Sequence, residues 1–258
     1  MTFTKPAHIG NQVFDDIEQF INAEAAPSEF ELARIKRDVA KLRRADHAQA
    51  FMAESALAAL TWDERSATAC VQKALRLDRS AIMLSNASLT LRSVCLMCES
   101  CEFALEAMRA EPADMMLLSD ALDALALVGR WDEGAELLSD ALNKGMKPAR
   151  LHAKFDSLMA LLGEAGISLA RLKFELSCAA QVLRQAKVRY RGTDLSLAED
   201  PESGQLALVH QTICYGTIED ELRLESALGQ LLANEPGWNP EKLAVEIACQ
   251  REDAHQPA

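Results

Sequence analysis

The chain is poor in residues that break regular structure, with 11 glycines and 8 prolines among 258 positions. That scarcity excludes collagen-like and linker-dominated architectures. Aromatic residues are only 5%. Basic residues are also short: 27 Lys and Arg stand against 39 Asp and Glu, a formal net charge of −12. A duplex-binding protein needs a basic face to displace counterions from phosphates, so nucleic acid is not expected as a partner. An anionic membrane surface is disfavoured for the same reason. No apolar run approaches the roughly 18–20 residues that span a bilayer, so no membrane segment is expected. Met1 to Gly10 holds one lysine and no apolar stretch of signal-peptide length. With seven cysteines, an odd number, in a chain that is 49% hydrophobic, the expectation is a cytoplasmic protein with reduced thiols.

Catalytic signatures are missing too. There is no G-x-S-x-G, no Walker-type glycine loop, no G-x-G-x-x-G and no H-E-x-x-H. The five histidines (His8, His47, His152, His210 and His255) include no pair at i, i+4. The adjacent acids Asp15-Asp16, Asp132-Glu133 and Glu219-Asp220-Glu221 fall where helix beginnings or solvated faces account for them. The expectation is a non-enzyme with no catalytic residue, resident metal or cofactor.

What is abundant is alanine and leucine at helical spacing. Val13, Phe14, Ile17, Phe20 and Ile21 share one face between Asn11 and Glu24, and Pro27 ends that segment. Ser28-Glu29-Phe30-Glu31 has the form of a capping box, which predicts a second helix to about Arg44. Further helices are predicted near 46–60, 64–77, 80–94, 98–110, 114–128 and 132–144, with short connections that favour antiparallel neighbours. Small residues seven apart recur through them: Ala33 and Ala40, Ala67 and Ala74, Ser100 and Ala107, Gly134 and Ala141. The offsets between these pairs are 34, 33 and 34 residues. Two small residues seven apart lie on one helix face and let a neighbouring helix approach closely, so the period predicts stacked helical hairpins.

Gly129-Arg-Trp-Asp-Glu-Gly-Ala-Glu-Leu-Leu138 resembles the turn into the second helix of the tetratricopeptide repeat (TPR) family. Lys73 to Asp78 and Glu106 to Pro112 resemble its repeat ends. The likeness covers residues 48–148 well and 12–47 more faintly. It departs at Arg79, where proline is usual, and at Leu122, which follows Ser55 and Ser88 at the small position of the first helix. A related helical-hairpin repeat is the alternative. The resemblance implies a mainly α chain whose right-handed α-α superhelix offers a concave groove to another protein or peptide segment. It places Gln49, Met52, Ala56, Ile82, Ser85, Asn86, Leu89, Arg92, Met116, Ser119, Asp120 and Asp123 in that groove. The set lacks the lysines with which some members clamp a peptide's terminal carboxylate, so it fits apolar contact.

Past the repeats, 149–190 is predicted as a further hairpin, with Leu158, Leu161 and Leu162 leading to a stop at Gly163–Gly166 and a long helix over 167–188. After Arg191-Gly192 the texture changes. Asp194 to Ala198 alternates, 199–204 reads as a turn, and Gln205 to Tyr215 favours a strand. Thr217 caps a helix to Asn234, Pro236-Gly237 stops it, and Lys242 to Cys249 reads as a third strand. The expected organisation is a helical repeat domain over 11–190 and a small α+β domain over 191–250, with irregular helices as the alternative for the latter and frayed residues beyond. Trp131 and Trp62 read as hairpin-turn core residues and Trp238 as a loop anchor. Two other function classes stay open: a metal- or redox-responsive regulator using Cys95, Cys98 and Cys101, or an enzyme sited in the C-terminal part.

Overall fold

The structure, a computed structural model, describes residues 9–23, 27–147, 160, 162–163, 167–199, 206–235 and 243–250. It is mainly helical, with a small three-stranded sheet near the C-terminus. The helices are α1 (Ile9–Ala23), α2 (Glu29–Ala45), α3 (His47–Leu60), α4 (Glu64–Leu77), α5 (Ala81–Arg92), α6 (Met97–Ala110), α7 (Met115–Leu127), α8 (Trp131–Asn143), α9 (Leu169–Ala186) and α10 (Ile218–Ala233). The strands are β1 (Tyr190–Glu199), β2 (Leu206–Tyr215) and β3 (Leu243–Gln250). No described helix is long and apolar enough to cross a membrane. The predicted features at residues 149–159, 161 and 164–166, the turn over 200–204, Pro236-Gly237, Trp238 and the residues after Gln250 lie outside the described residues.

The chain divides into two compact units, Met1–Ala121 and Leu122–Ala258. In the first, α1 packs on α2 and α3, α3 along α4, and α5 along α6, while α3 and α5 touch in turn. Sequence explains the helix starts. Ser28 and Glu31 make the capping box ahead of α2, and the Ser28 hydroxyl and backbone N–H hold the Glu31 carboxyl below its ordinary range. Asp46 and Asp63 cap α3 and α4 by accepting the backbone N–H groups of Gln49 and Ser66, each at 3.0 Å. Each such cap satisfies a donor that the helix itself cannot, and is worth about 1 kcal/mol.

Three inter-helix turns share one geometry. Trp62, Cys95 and Gly129 each take a left-handed φ, of 58°, 57° and 72°. The residue after each donates its backbone N–H back to a carbonyl five positions earlier: Asp63 to Ala58, Leu96 to Leu91, and Arg130 to Leu125. These turns recur at offsets of 33 and 34 residues. The helices that follow repeat as well. Ala67, Ser100 and Gly134 are each the fourth residue of α4, α6 and α8, and Ala74, Ala107 and Ala141 each the eleventh. All six are buried. Between α5 and α6 the small residues touch: the Ser88 and Ser100 hydroxyls lie 3.0 Å apart, and Ser100 donates to the Ser88 carbonyl at 2.9 Å. The pattern fails at the first pair. Ala33 and Ala40 are exposed, and α2 buries Ile35, Val39 and Leu42 instead. Larger apolar side chains at i, i+4 and i+7 outweigh two alanines in choosing the inward face.

In the second unit, the turn at Gly129 meets α9. A Cβ on Gly129 would lie 2.7 Å from Lys173 Cα, so only glycine permits the approach. The sheet order is β1-β2-β3. β1 pairs antiparallel with β2, with a bulge at Arg191, and the Arg191 guanidinium lies 4.6 Å from the Tyr215 ring centre. β3 runs parallel to β2, so the link between them must cross over, and α10 lies in that crossover. α10 packs on β3 and on α9, and α9 also reaches β3.

Candidate functional site

The residues expected to line a groove occupy α3, α5 and α7, but half of the twelve are not at the surface. Met52, Ala56, Ser85, Asn86, Leu89 and Arg92 are buried. Met52 is held in place locally, its thioether accepting the Ser55 hydroxyl at 3.4 Å. Ser85 and Asn86 lie within α5, of which all but Ile82 is buried. Buried side chains cannot meet a partner without unfolding their surroundings, so the open part of the expected set is smaller than the resemblance implies. Arg92 is 8% exposed, and among the described residues its Nε and Nη2 have no hydrogen-bond partner.

What stays exposed is confined to helix beginnings. Ile82, 37% exposed, is the second residue of α5, and Met116, 50% exposed, the second residue of α7. They are 34 positions apart, and Gln49, half-buried, stands 33 before Ile82 near the start of α3. Met115 beside Met116 is also exposed. Ser119, Asp120 and Asp123 follow along α7, half-buried. The positions are set by capping. The Asp114 carboxylate accepts the backbone N–H groups of Met116 at 2.7 Å and Leu117 at 3.2 Å, which fixes the start of α7. Asp78 accepts the Ser80 N–H at 2.9 Å just before α5. Arg79, where a repeat end commonly carries proline, forks onto the Glu106 carboxylate of α6. That pair holds the Glu106 carboxyl below its ordinary range. Being exposed, it orients the loop more than it stabilises the fold.

The three clustered cysteines do not converge. Cys95 sits buried in the α5–α6 turn, Cys98 is exposed on the first turn of α6, and Cys101 is buried one turn on. Among the described residues, no group of three or more His, Cys, Asp or Glu side chains is arranged to hold a metal ion. His210 on β2 is fully buried. Trp131 is fully buried, in line with a core role, while Trp62 is half-buried.

The acid runs serve helix starts and ion pairs. Asp16 meets Arg34 at 2.8 Å, and Glu133 pairs with Arg130 at 2.5 Å. Asp220 closes a capping box with Thr217 at the start of α10. Two carboxylates on α10 do something that sequence gave no sign of. Glu221 accepts the backbone N–H of Cys249 at 2.6 Å, and Glu225 accepts that of Ile247. Both donors belong to β3, an edge strand, and have the same parity along it. Side chains therefore occupy ladder positions that another strand would otherwise seek. Burial pushes the Glu225 carboxyl up, and Glu246 and Glu221 add to the shift against the opposing Ile247 hydrogen bond.

No family model matches the chain, and neither the curated proteins nor the solved structures provide a match.

Proposed function

We propose that this chain is a non-catalytic, cytoplasmic protein-binding module built as a TPR-like superhelix. It holds an apolar segment of another protein against the beginnings of its first-position helices. The observation that carries the reading is the recurrence of exposed large apolar side chains, Ile82 and Met116, at the second residue of α5 and of α7. Gln49 supplies a polar neighbour in the same register on α3. The repeated left-handed turns at Trp62, Cys95 and Gly129 support the repeat reading, because identical connections orient successive hairpins alike. The positions carry no lysine, so contact is apolar, with half-buried Ser119 as a further polar neighbour on α7. An adaptor, an assembly factor and a secretion-type chaperone all fit this chemistry. Among the described residues, no group of metal-ligating side chains favours metal sensing through Cys95, Cys98 and Cys101 over this reading.

The test is affinity purification of the tagged chain from its native host with quantitative mass spectrometry. An Ile82→Glu, Met116→Glu double variant is compared with Leu222→Glu, which alters an exposed apolar residue on α10. A partner lost from the double variant and retained by Leu222→Glu supports the proposal. Identical co-purifying proteins from all three, with helicity unchanged by circular dichroism, refute it.

A further inference from the structure

Cys214 and Cys249 are 35 positions apart in sequence and belong to no C-x-x-C pattern. The fold sets them opposite each other where the parallel β2 and β3 ladders end. Their sulfurs are 3.3 Å apart. Neighbouring strands lie about 4.8 Å apart, within the Cα separation of about 4.4–6.8 Å that a disulfide bridges. Directly paired residues also project to the same face of the sheet. Two further contacts shape the pair. A Cβ on Gly216 would come within 3.0 Å of Cys249 Sγ, so glycine leaves the space in which that sulfur turns. Glu221 holds the Cys249 backbone N–H at 2.6 Å, which fixes the strand end beneath the thiol. Cys214 is fully buried, whereas Cys249 is partly exposed. One sulfur can meet a reagent from solvent, and the other waits behind it.

We propose that Cys214 and Cys249 form a cross-strand dithiol that a low-molecular-weight disulfide converts to an intramolecular disulfide. Cys249 loses its proton to solvent, and its thiolate attacks one sulfur of the reagent. The reagent's S–S bond breaks, and one thiolate leaves and is protonated. Cys214 then loses its proton and attacks the Cys249 sulfur of the mixed disulfide, expelling the second reagent thiolate. Two protein thiols and one reagent disulfide become one protein disulfide and two reagent thiols. The protein gives up two electrons and two protons, and the reagent gains them. The new bond ties the edge strand β3 to β2 and closes the loop that contains α10. Burial, reinforced by Glu221 and Asp220, pushes the Cys249 thiol up, so the exchange quickens as pH rises.

Trypsin isolates the pair. Cleavage after Arg191, Arg223, Lys242 and Arg251 gives peptides 192–223 and 243–251, each with a single cysteine. The full chain is treated with glutathione disulfide, denatured, alkylated with iodoacetamide and digested without reductant. The expected product is peptide 192–223 joined to 243–251, lighter than the two reduced peptides by two hydrogens. Cys214→Ser should stop at a glutathione mixed disulfide on 243–251, and Cys249→Ser should leave Cys214 open to alkylation. Wild-type protein that yields both peptides alkylated, or both carrying glutathione with no cross-link, overturns the proposal. So does 243–251 joined to the peptide of Cys98. The wild-type digest decides the matter even if a variant folds poorly.

Discussion

Replacing Gly129 by alanine probes both constraints on the α7–α8 turn. The residue has a φ of 72°, and a Cβ would stand 2.7, 3.0 and 3.1 Å from Lys173 Cα, N and Cβ. Two of those three atoms are backbone of α9, so no side-chain rotation relieves the overlap. A left-handed conformation costs a non-glycine residue about 1–2 kcal/mol, and overpacking typically adds about 1–3 kcal/mol. The sum predicts a loss of about 2–5 kcal/mol. Gly145 is the control, with a φ of 82° and, among the described residues, no heavy atom within 4 Å of the place a methyl would take. Gly145→Ala should cost only the conformational part, about 1–2 kcal/mol. Asparagine sharpens the contrast, because it tolerates the left-handed region yet carries a Cβ. At 145 it should recover most of the loss, and at 129 it should not. Urea unfolding followed by far-ultraviolet circular dichroism and by tryptophan fluorescence, with buried Trp131 two residues from the substitution, reads the difference. Equal destabilisation at 129 and 145 would refute the close approach of the turn to α9.

Three further outcomes follow from named contacts. Ser88→Ala and Ser100→Ala should each cost about 0.5–1.5 kcal/mol, and the double variant less than their sum, because both act on one hydroxyl pair; strict additivity in the cycle would contradict the shared contact. Glu225→Gln keeps an oxygen to accept the Ile247 N–H while removing a half-buried charge. Burial raises the Glu225 carboxyl in the folded protein, so its contribution is full below the unfolded pKa of about 4.3 and is lost as pH rises through the folded value. The variant should therefore gain stability over wild type at neutral pH, with the gain shrinking towards pH 4; the opposite trend in pH-resolved urea melts would count against it. Thr217→Ala should cost about 1 kcal/mol through loss of the α10 cap. It should flatten acid unfolding only in part, because the Thr217 backbone N–H and Arg223 still hold the Asp220 carboxyl low once the hydroxyl is gone, a contribution present above the unfolded pKa of about 3.9 and lost as pH falls through the folded one; complete loss of the acid limb would sink the second part.

Sequence alone determined the local structure. Capping residues, helical periodicity and turn signals placed α2 through α8 within a few residues, and the change of texture after Arg191 marked the strand, strand, helix, strand order. These signals are local, carried by neighbours three or four positions apart, and need no knowledge of what lies across the core. The period of the small residues was legible for the same reason, except at Ala33 and Ala40, where the burial of Ile35, Val39 and Leu42 turned α2 another way. Tertiary structure decided which faces survive at the surface. It buried Met52, Asn86 and Arg92 while leaving Ile82 and Met116 out, and a helical wheel cannot count how many neighbours a face acquires. It also made partners of Cys214 and Cys249, and of Glu221 with an edge-strand N–H. Contacts between residues 28 and 35 positions apart depend on strand register and on a crossover helix, and neither leaves a spacing rule in the chain.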